Sequence, residues 1–173
     1  YGNGGHDGYI IKTDENGNQQ WNKTFGTVQN DSGDDIQQTN DGGYIICGNI
    51  AQGDGSNSGD VYVLKIDSNG NEQWNNSFGT LYSEDGKSVS QTTDGGYIIT
   101  GTKKDSIWLI KINNNGIQQW NNTFRSNIYY GSVFGQQTND GGYIIVSSFR
   151  DSTQLLNIHY HTCHLIKTDS NGN

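Results

Sequence analysis

DGGYIICG at Asp41–Gly48, followed after a loop by DVYVLKIDSNGNEQWNNSFG at Asp60–Gly79, is a text that this chain repeats. It returns over Asp94–Phe124 as DGGYIITG and SIWLIKINNNGIQQWNNTF. Partial copies stand near both ends: GYIIKTDENGNQQWNKTFG at Gly8–Gly26, then DGGYIIVS and HLIKTDSNGN within Asp140–Asn173. The Lys of the recurring IK pair falls at Lys12, Lys65, Lys111 and Lys167, with spacings of 53, 46 and 56 residues. A repeat of that period sets architecture strongly and chemistry weakly.

Each copy reads as four short strands. A polar first strand ends in QT, at Asp35–Thr39, Ser88–Thr92 and Phe134–Thr138. A DGG turn, whose glycines supply positive φ, leads into YII at Tyr44–Ile46, Tyr97–Ile99 and Tyr143–Ile145. After a variable loop comes a third strand such as Val61–Ile66 or Ile107–Ile112. A D-x-N-G-N turn then opens the fourth strand, which carries Trp21, Trp74 or Trp120. Alternation and turn spacing both specify antiparallel β structure without helix.

Units of about 50 residues, each a small antiparallel sheet, match the period of β-propeller blades. The polar QQT strand suits an inner, wet position; YII and LIK supply faces buried between sheets, and the tryptophans reach a neighbouring sheet. The strand phase gives third-fourth, two full sets, then first-second-third, about thirteen strands in all. The expected fold is all-β: an open propeller arc of about three and a half four-stranded blades. Its parts are residues 1–25, 26–78, 79–124 and 125–173 of one segment, completed by a longer chain or by another copy.

Composition bounds the function. The chain has 25 Gly, no Pro, no Met, 30% hydrophobic residues and a formal charge of −8. So polar a chain would suggest disorder, but its apolar residues recur in register as short β-branched and aromatic bursts. With no Met, it is read as a processed product or a segment of something longer. An acidic balance and the absence of a Lys/Arg stripe argue against nucleic acid and anionic membrane surfaces. The apolar runs, four or five residues long as at Val61–Leu64, rule out a helical membrane span. Cys47 is replaced by Thr100 and Val146 in other copies, and Cys163 by Gly8, Val61 and Ile107. Both cysteines therefore read as small core fillers rather than as a disulfide.

The pattern QQT-x-DGGYII-x-G with LIK-x-D-x-NGN-x-x-W-x-x-(T/S)-F resembles repeats of large secreted and cell-surface proteins of bacteria and archaea. Those repeats are regarded as propeller blades, in the style of quinoprotein blades with a tryptophan near the fourth strand. The resemblance spans nearly the whole chain and implies an extracellular or cell-surface setting with an adhesive or structural role. It carries over no quinone-site or catalytic residue.

Several groups of residues admit a site reading. The turns Asp14–Asn18, Asp67–Asn71 and Asp169–Asn173 invite calcium, yet their Gly stands fourth rather than sixth and Asn113 replaces the leading Asp in one copy. A hairpin with Gly in the left-handed region accounts for the same text without metal. His159, His161 and Cys163 share one face of a strand and would suit zinc or copper, with His6 at the repeat position of His161. Asn22, Asn75 and Asn121 begin sequons at one repeat position, and Asn30 begins a fourth. On exposed edge strands these asparagines would accept glycans if the chain is secreted. Asp34 and Asp35 pair in one copy alone and read as a solvated loop. Tyr82, Tyr129 and Tyr130 lie in non-repeating loops and suit sugar stacking or protein contact.

The reading is a non-catalytic extracellular scaffold that binds protein or glycan, or assembles into a surface structure, with no cofactor. The alternative is the propeller domain of a secreted enzyme, a hydrolase or a quinone- or metal-dependent oxidoreductase, whose site lies outside this segment.

Overall fold

The computed structural model describes residues 5–51, 59–125, 132–151 and 160–173, with the backbone alone at 125, 149–151 and 160–162. Its described residues form thirteen strands and no helix. The chain divides into two compact units, Tyr1–Asp85 and Gly86–Asn173.

In the first unit, β1 (Gly8–Thr13) and β2 (Gln19–Phe25) form a two-stranded antiparallel sheet. A four-stranded sheet follows in the order β3 (Asp31–Gln38), β4 (Tyr44–Ala51), β5 (Gly59–Ile66) and β6 (Glu72–Phe78). The second unit holds the four-stranded sheet β7 (Glu84–Gln91), β8 (Tyr97–Lys103), β9 (Ser106–Ile112) and β10 (Gln118–Arg125), the first two residues of β7 preceding the unit boundary. It ends with the three-stranded sheet β11 (Val133–Gln137), β12 (Tyr143–Asp151) and β13 (Tyr160–Thr168). The groups of two, four, four and three strands follow the phase read from the repeat.

Within each unit, sheets stack face to face on the residues the repeat supplies. Ile46, Tyr62, Leu64 and Ile66 of β4 and β5 pack with Ile10, Trp21 and Phe25 of β1 and β2. Ile98, Ile107 and Leu109 of β8 and β9 pack with Val133, Tyr143 and Ile145 of β11 and β12. Burial of each such side chain contributes about 1.5–3 kcal/mol, so the YII and LIK bursts supply most of the core.

Tryptophans join neighbouring sheets. Trp21 lies edge-on to Tyr44 at 6.0 Å, and its Nε1 donates to Ser68 O at 3.2 Å. Trp120 meets Tyr143 the same way at 5.5 Å. Each covers the turn glycine of the next sheet: a Cβ on Gly70 would stand 3.1 Å from Trp21, and one on Gly172 2.6 Å from Trp120. Both glycines also hold positive φ, +78° and +79°. They answer to backbone and to packing at once.

Two expectations need correction. The first strand begins at Asp31 and Glu84, four residues ahead of the expected Asp35 and Ser88, because those carboxylates tie the incoming chain into the sheet. Cys47 is fully buried as expected, but Cys163 is exposed rather than a core filler. Cys163 shares its face of β13 with Leu165 and Lys167, and in that sheet all three are exposed. The repeat copied the position without its neighbours.

Candidate functional site

The two ends of each sheet are built differently. At one end, the short turns close on themselves. Asp14 Oδ1 accepts from the N–H groups of Asn16 and Asn18, both at 2.9 Å, and Asp14 Oδ2 accepts from Asn18 Nδ2. Asp67 and Asp169 repeat the arrangement, and Asn113 Oδ1 serves the N–H groups of Asn115 and Ile117. Hydrogen bonds from the asparagine at the end of each turn hold Asp14, Asp67 and Asp169 below the usual carboxylate range. The carboxylates of these calcium-like turns are thus engaged by their own backbone.

The DGG turns at the same end carry an ion pair. Lys65 Nζ lies 2.9 Å from Asp41 Oδ2, Lys111 lies 2.9 Å from Asp94 and Lys167 lies 2.8 Å from Asp140. Lys65 Nζ also donates to Ile66 O and Gln73 Oε1, and Lys111 does so to Ile112 O and Gln119 Oε1. Gln73 and Gln119 project from bulges, where the register of the fourth strand skips one residue before Trp74 and Trp120. Four oxygens then surround each buried ammonium. Such satisfaction marks the lysines as structural nodes rather than catalytic bases.

At the opposite end the connections vary between copies, and here the first unit concentrates its unusual groups. Thr27 donates from its N–H and its hydroxyl to Asp31 Oδ2, and Asp31 Oδ1 accepts from Ala51 N at 3.0 Å. Thr80 holds Glu84 in the same way one repeat later. These staples fix loops that present Val28 (69% exposed) and Leu81 (94% exposed) outward from one repeat position. Tyr82, a sequence candidate for binding, is exposed beside Leu81.

A groove of about 340 Å³ opens near the first staple, lined by Asp7, Phe25, Gly26, Tyr62, Glu72 and Asn75 among others. Phe25 and Tyr62 stack at 6.0 Å with an interplanar angle of 16°. Burial, then the nearby charges of Glu72 and Asp31, pushes the Tyr62 phenol up to about 12, so it stays a hydrogen-bond donor. Asp7 Oδ1 is buried without a hydrogen-bond partner among the described residues. A Cβ on Gly26 would fall 2.4 Å from that oxygen and 2.8 Å from Asp31 Oδ2, so glycine is what admits the two carboxylates here. Acceptors, a phenol donor and stacked rings are the equipment for holding a polyhydroxylated ligand.

Sequon asparagines Asn22, Asn75 and Asn121 are exposed on β2, β6 and β10, each the outer strand of its sheet. Asn75 Nδ2 donates to Glu72, while Asn121 Oδ1 accepts from Trp108 Nε1 at 3.0 Å. Asn30 is exposed in the β2–β3 connection, its Oδ1 accepting from His6 N at 2.9 Å.

Of the metal candidates, His159 lies outside the described residues and the His161 side chain is likewise undescribed. Cys163 is exposed, and among the described residues no group of three His, Cys, Asp or Glu converges on a metal position. Tyr129 and Tyr130 also lie outside the described residues. On β3, Asp34 accepts from Ser32 Oγ at 3.2 Å and Asp35 accepts from Ile36 N at 2.8 Å.

No family model and no curated protein matches this sequence. Among solved structures it is similar to a protein of unknown function from Bacteroides caccae, whose crystal structure was determined at 1.35 Å. The two are 12% identical with a TM-score of 0.54 over 93% of this chain. The chain spans about half of that structure, 54% of its length. At this identity the likeness concerns fold alone, an all-β arrangement of antiparallel sheets.

Proposed function

We propose that the chain is a segment of an extracellular β-propeller, of the kind repeated in bacterial and archaeal surface proteins, and that it acts as a non-catalytic binding scaffold. Sets of two, four, four and three antiparallel strands, stacked face to face within each unit, support the blade reading. The observation that carries the binding reading is the contrast between the two ends of the sheets. Repeated residues seal one end with self-contained turns, while the other presents Leu81, Tyr82 and the groove beside Asp7 and Tyr62.

Exposed aromatic and aliphatic side chains on stapled loops suit a protein or glycan surface, and the groove's oxygens and rings favour the sugar. A glycan array and a pull-down with the wild-type chain test this, beside a variant carrying Leu81→Ser and Tyr82→Ala. Retained ligand with the wild type and its loss with the variant is the expected result. Equal binding by both would move recognition away from this end.

A further inference from the structure

We infer that the groove beside Asp7 selects sugars carrying a free, protonated amine, in preference to neutral or acidic ones. The inference deepens the glycan reading of that groove and rests on it. The lining residues belong to β2, β4, β5 and β6 and to the segments that enter β1 and β3, so the groove is formed within the first unit.

Its charge is of one sign. Asp7 and Glu72 line it, and Asp31 Oδ2 stands where a Cβ on Gly26 would come within 2.8 Å. Among the described residues of the lining there is no Lys, Arg or His. The three carboxylates differ in how far the protein itself engages them. Asp31 accepts from the N–H and hydroxyl of Thr27 and from Ala51 N. Glu72, an exposed residue, accepts from Asn75 Nδ2 through Oε1. Asp7 Oδ1 is buried with no hydrogen-bond partner among the described residues. A desolvated carboxylate oxygen without a donor is costly, and an ammonium group offsets that cost better than a hydroxyl, because the hydrogen bond it gives is charge-assisted.

The rings narrow the class from amines to amino sugars. Phe25 and Tyr62, stacked at 6.0 Å, give the groove apolar surface on which the C–H groups of a pyranose can pack. The Tyr62 phenol remains protonated and so offers a donor to a sugar hydroxyl. A volume of about 340 Å³ is at the small end of ligand pockets and suits about one or two sugar rings. A neutral sugar would leave Asp7 and Glu72 without a counter-charge, and a uronic acid would set like charge against both.

Calorimetric titration of the 173-residue chain with the β-1,4-linked glucosamine disaccharide tests this, at a pH where the amines are protonated and the carboxylates ionised. Its N-acetylated counterpart and putrescine are titrated beside it; the first keeps the rings without the charge, the second the charge without a ring. The wild type is expected to bind the glucosamine disaccharide at least about tenfold more tightly than either, the worth of one charge-assisted hydrogen bond. Asp7→Ala and Glu72→Gln are each expected to lose about tenfold for the amine and little for the N-acetylated sugar. Asp7→Ala removes an oxygen that bonds nothing in the described protein, and Glu72→Gln keeps an acceptor for Asn75, so both variants retain the fold. Diffuse attraction to a chain of charge −8 would change little with one charge removed, and unchanged affinity in both variants would overturn the inference. Equal affinity for the two disaccharides would overturn it while leaving the glycan reading in place. Putrescine bound as tightly as the amino sugar would also overturn it, making the groove a site for bare amines. Failure of both disaccharides, with glycans still retained through Leu81 and Tyr82, would overturn it and leave the loop-end scaffold standing.

Discussion

Lys65 keeps its side chain 3% exposed while its partner Asp41, 2.9 Å away, is 55% exposed. The pair is a buried cation anchored by a carboxylate at the solvent edge, and it recurs as Lys111–Asp94 with 4% and 54%. Removing one partner of a fully buried pair costs about 3–5 kcal/mol; with the carboxylate half in water, Asp41→Ala and Asp94→Ala should each cost about 2 kcal/mol. Asp140→Ala should cost least of the three, because Lys167 is 45% exposed and can hydrate when released. Urea unfolding midpoints measure the order, and a cost for Asp140→Ala equal to that of the others would refute it.

Acid should loosen the same nodes. The Thr39 hydroxyl and then Lys65 hold Asp41 down to about 2. Burial pushes Asp94 upward, but Thr92, Lys111 and the Gly96 N–H outweigh it and leave the group at about 2. An unfolded Asp titrates near about 3.9, so folding here favours the charged form. That contribution is whole above about pH 4 and is lost as pH falls toward about 2, through the folded values. Unfolding midpoints taken across this window should drop for the wild type and drop less for the Asp41→Asn/Asp94→Asn double variant. Parallel curves for the two proteins would remove the assignment.

Strand phase was legible because alternation and turn glycines are local signals, and both survive repetition. The staples were not. Asp31 and Glu84 sit in what reads as loop, and only the pairing of β3 with β4, which brings Asp31 beside Ala51, shows them to be strand. The bulged glutamines Gln73 and Gln119 were likewise hidden, since a bulge is a property of two strands together. One usable signal was present: every copy with the DGG aspartate also has the IK lysine, at separations of 24, 17 and 27 residues. Two residues retained across loops of different length point to a contact. Exposure of Cys163 and Leu165 was beyond reach, because burial depends on the sheet stacked next door and the repeat text does not encode it.

Gly17 and Gly70 occupy the same turn position with φ of +82° and +78°, but their surroundings differ. A Cβ on Gly17 meets nothing within 4 Å, whereas one on Gly70 presses on the Trp21 ring at 3.1 Å. Gly17→Ala should therefore cost only the left-handed strain, about 1 kcal/mol. Gly70→Ala adds displacement of Trp21 and should cost clearly more. Equal losses in thermal unfolding would show that Trp21 yields freely and is no anchor.

The staple and the loop tip it carries should separate cleanly. Glu84 is 0% exposed and accepts from the N–H of Thr80 at 3.2 Å and from its hydroxyl. Glu84→Ala strands those donors and should cost about 2 kcal/mol. Leu81→Ser, at a side chain 94% exposed, should change stability by less than about 0.5 kcal/mol. A strongly destabilised Leu81→Ser would mean that the tip packs on the molecule instead of facing outward.

The two thiols offer a direct reading of which repeat positions are covered. Cys47 is 0% exposed between Ile46 and Gly48 on β4, whereas Cys163 is exposed on β13. Iodoacetamide should label Cys163 in the native protein and spare Cys47, with both labelled in urea, because alkylation requires access to the sulfur. Peptide mass spectrometry distinguishes the sites, and native labelling of Cys47 would contradict the buried face of β4. Repeating the experiment with added zinc tests the ligand reading of His159, His161 and Cys163. Protection of Cys163 would support a thiolate–metal bond there, since a coordinated sulfur is a poor nucleophile. Unchanged labelling would leave Cys163 as an exposed thiol on a face suited to another sheet.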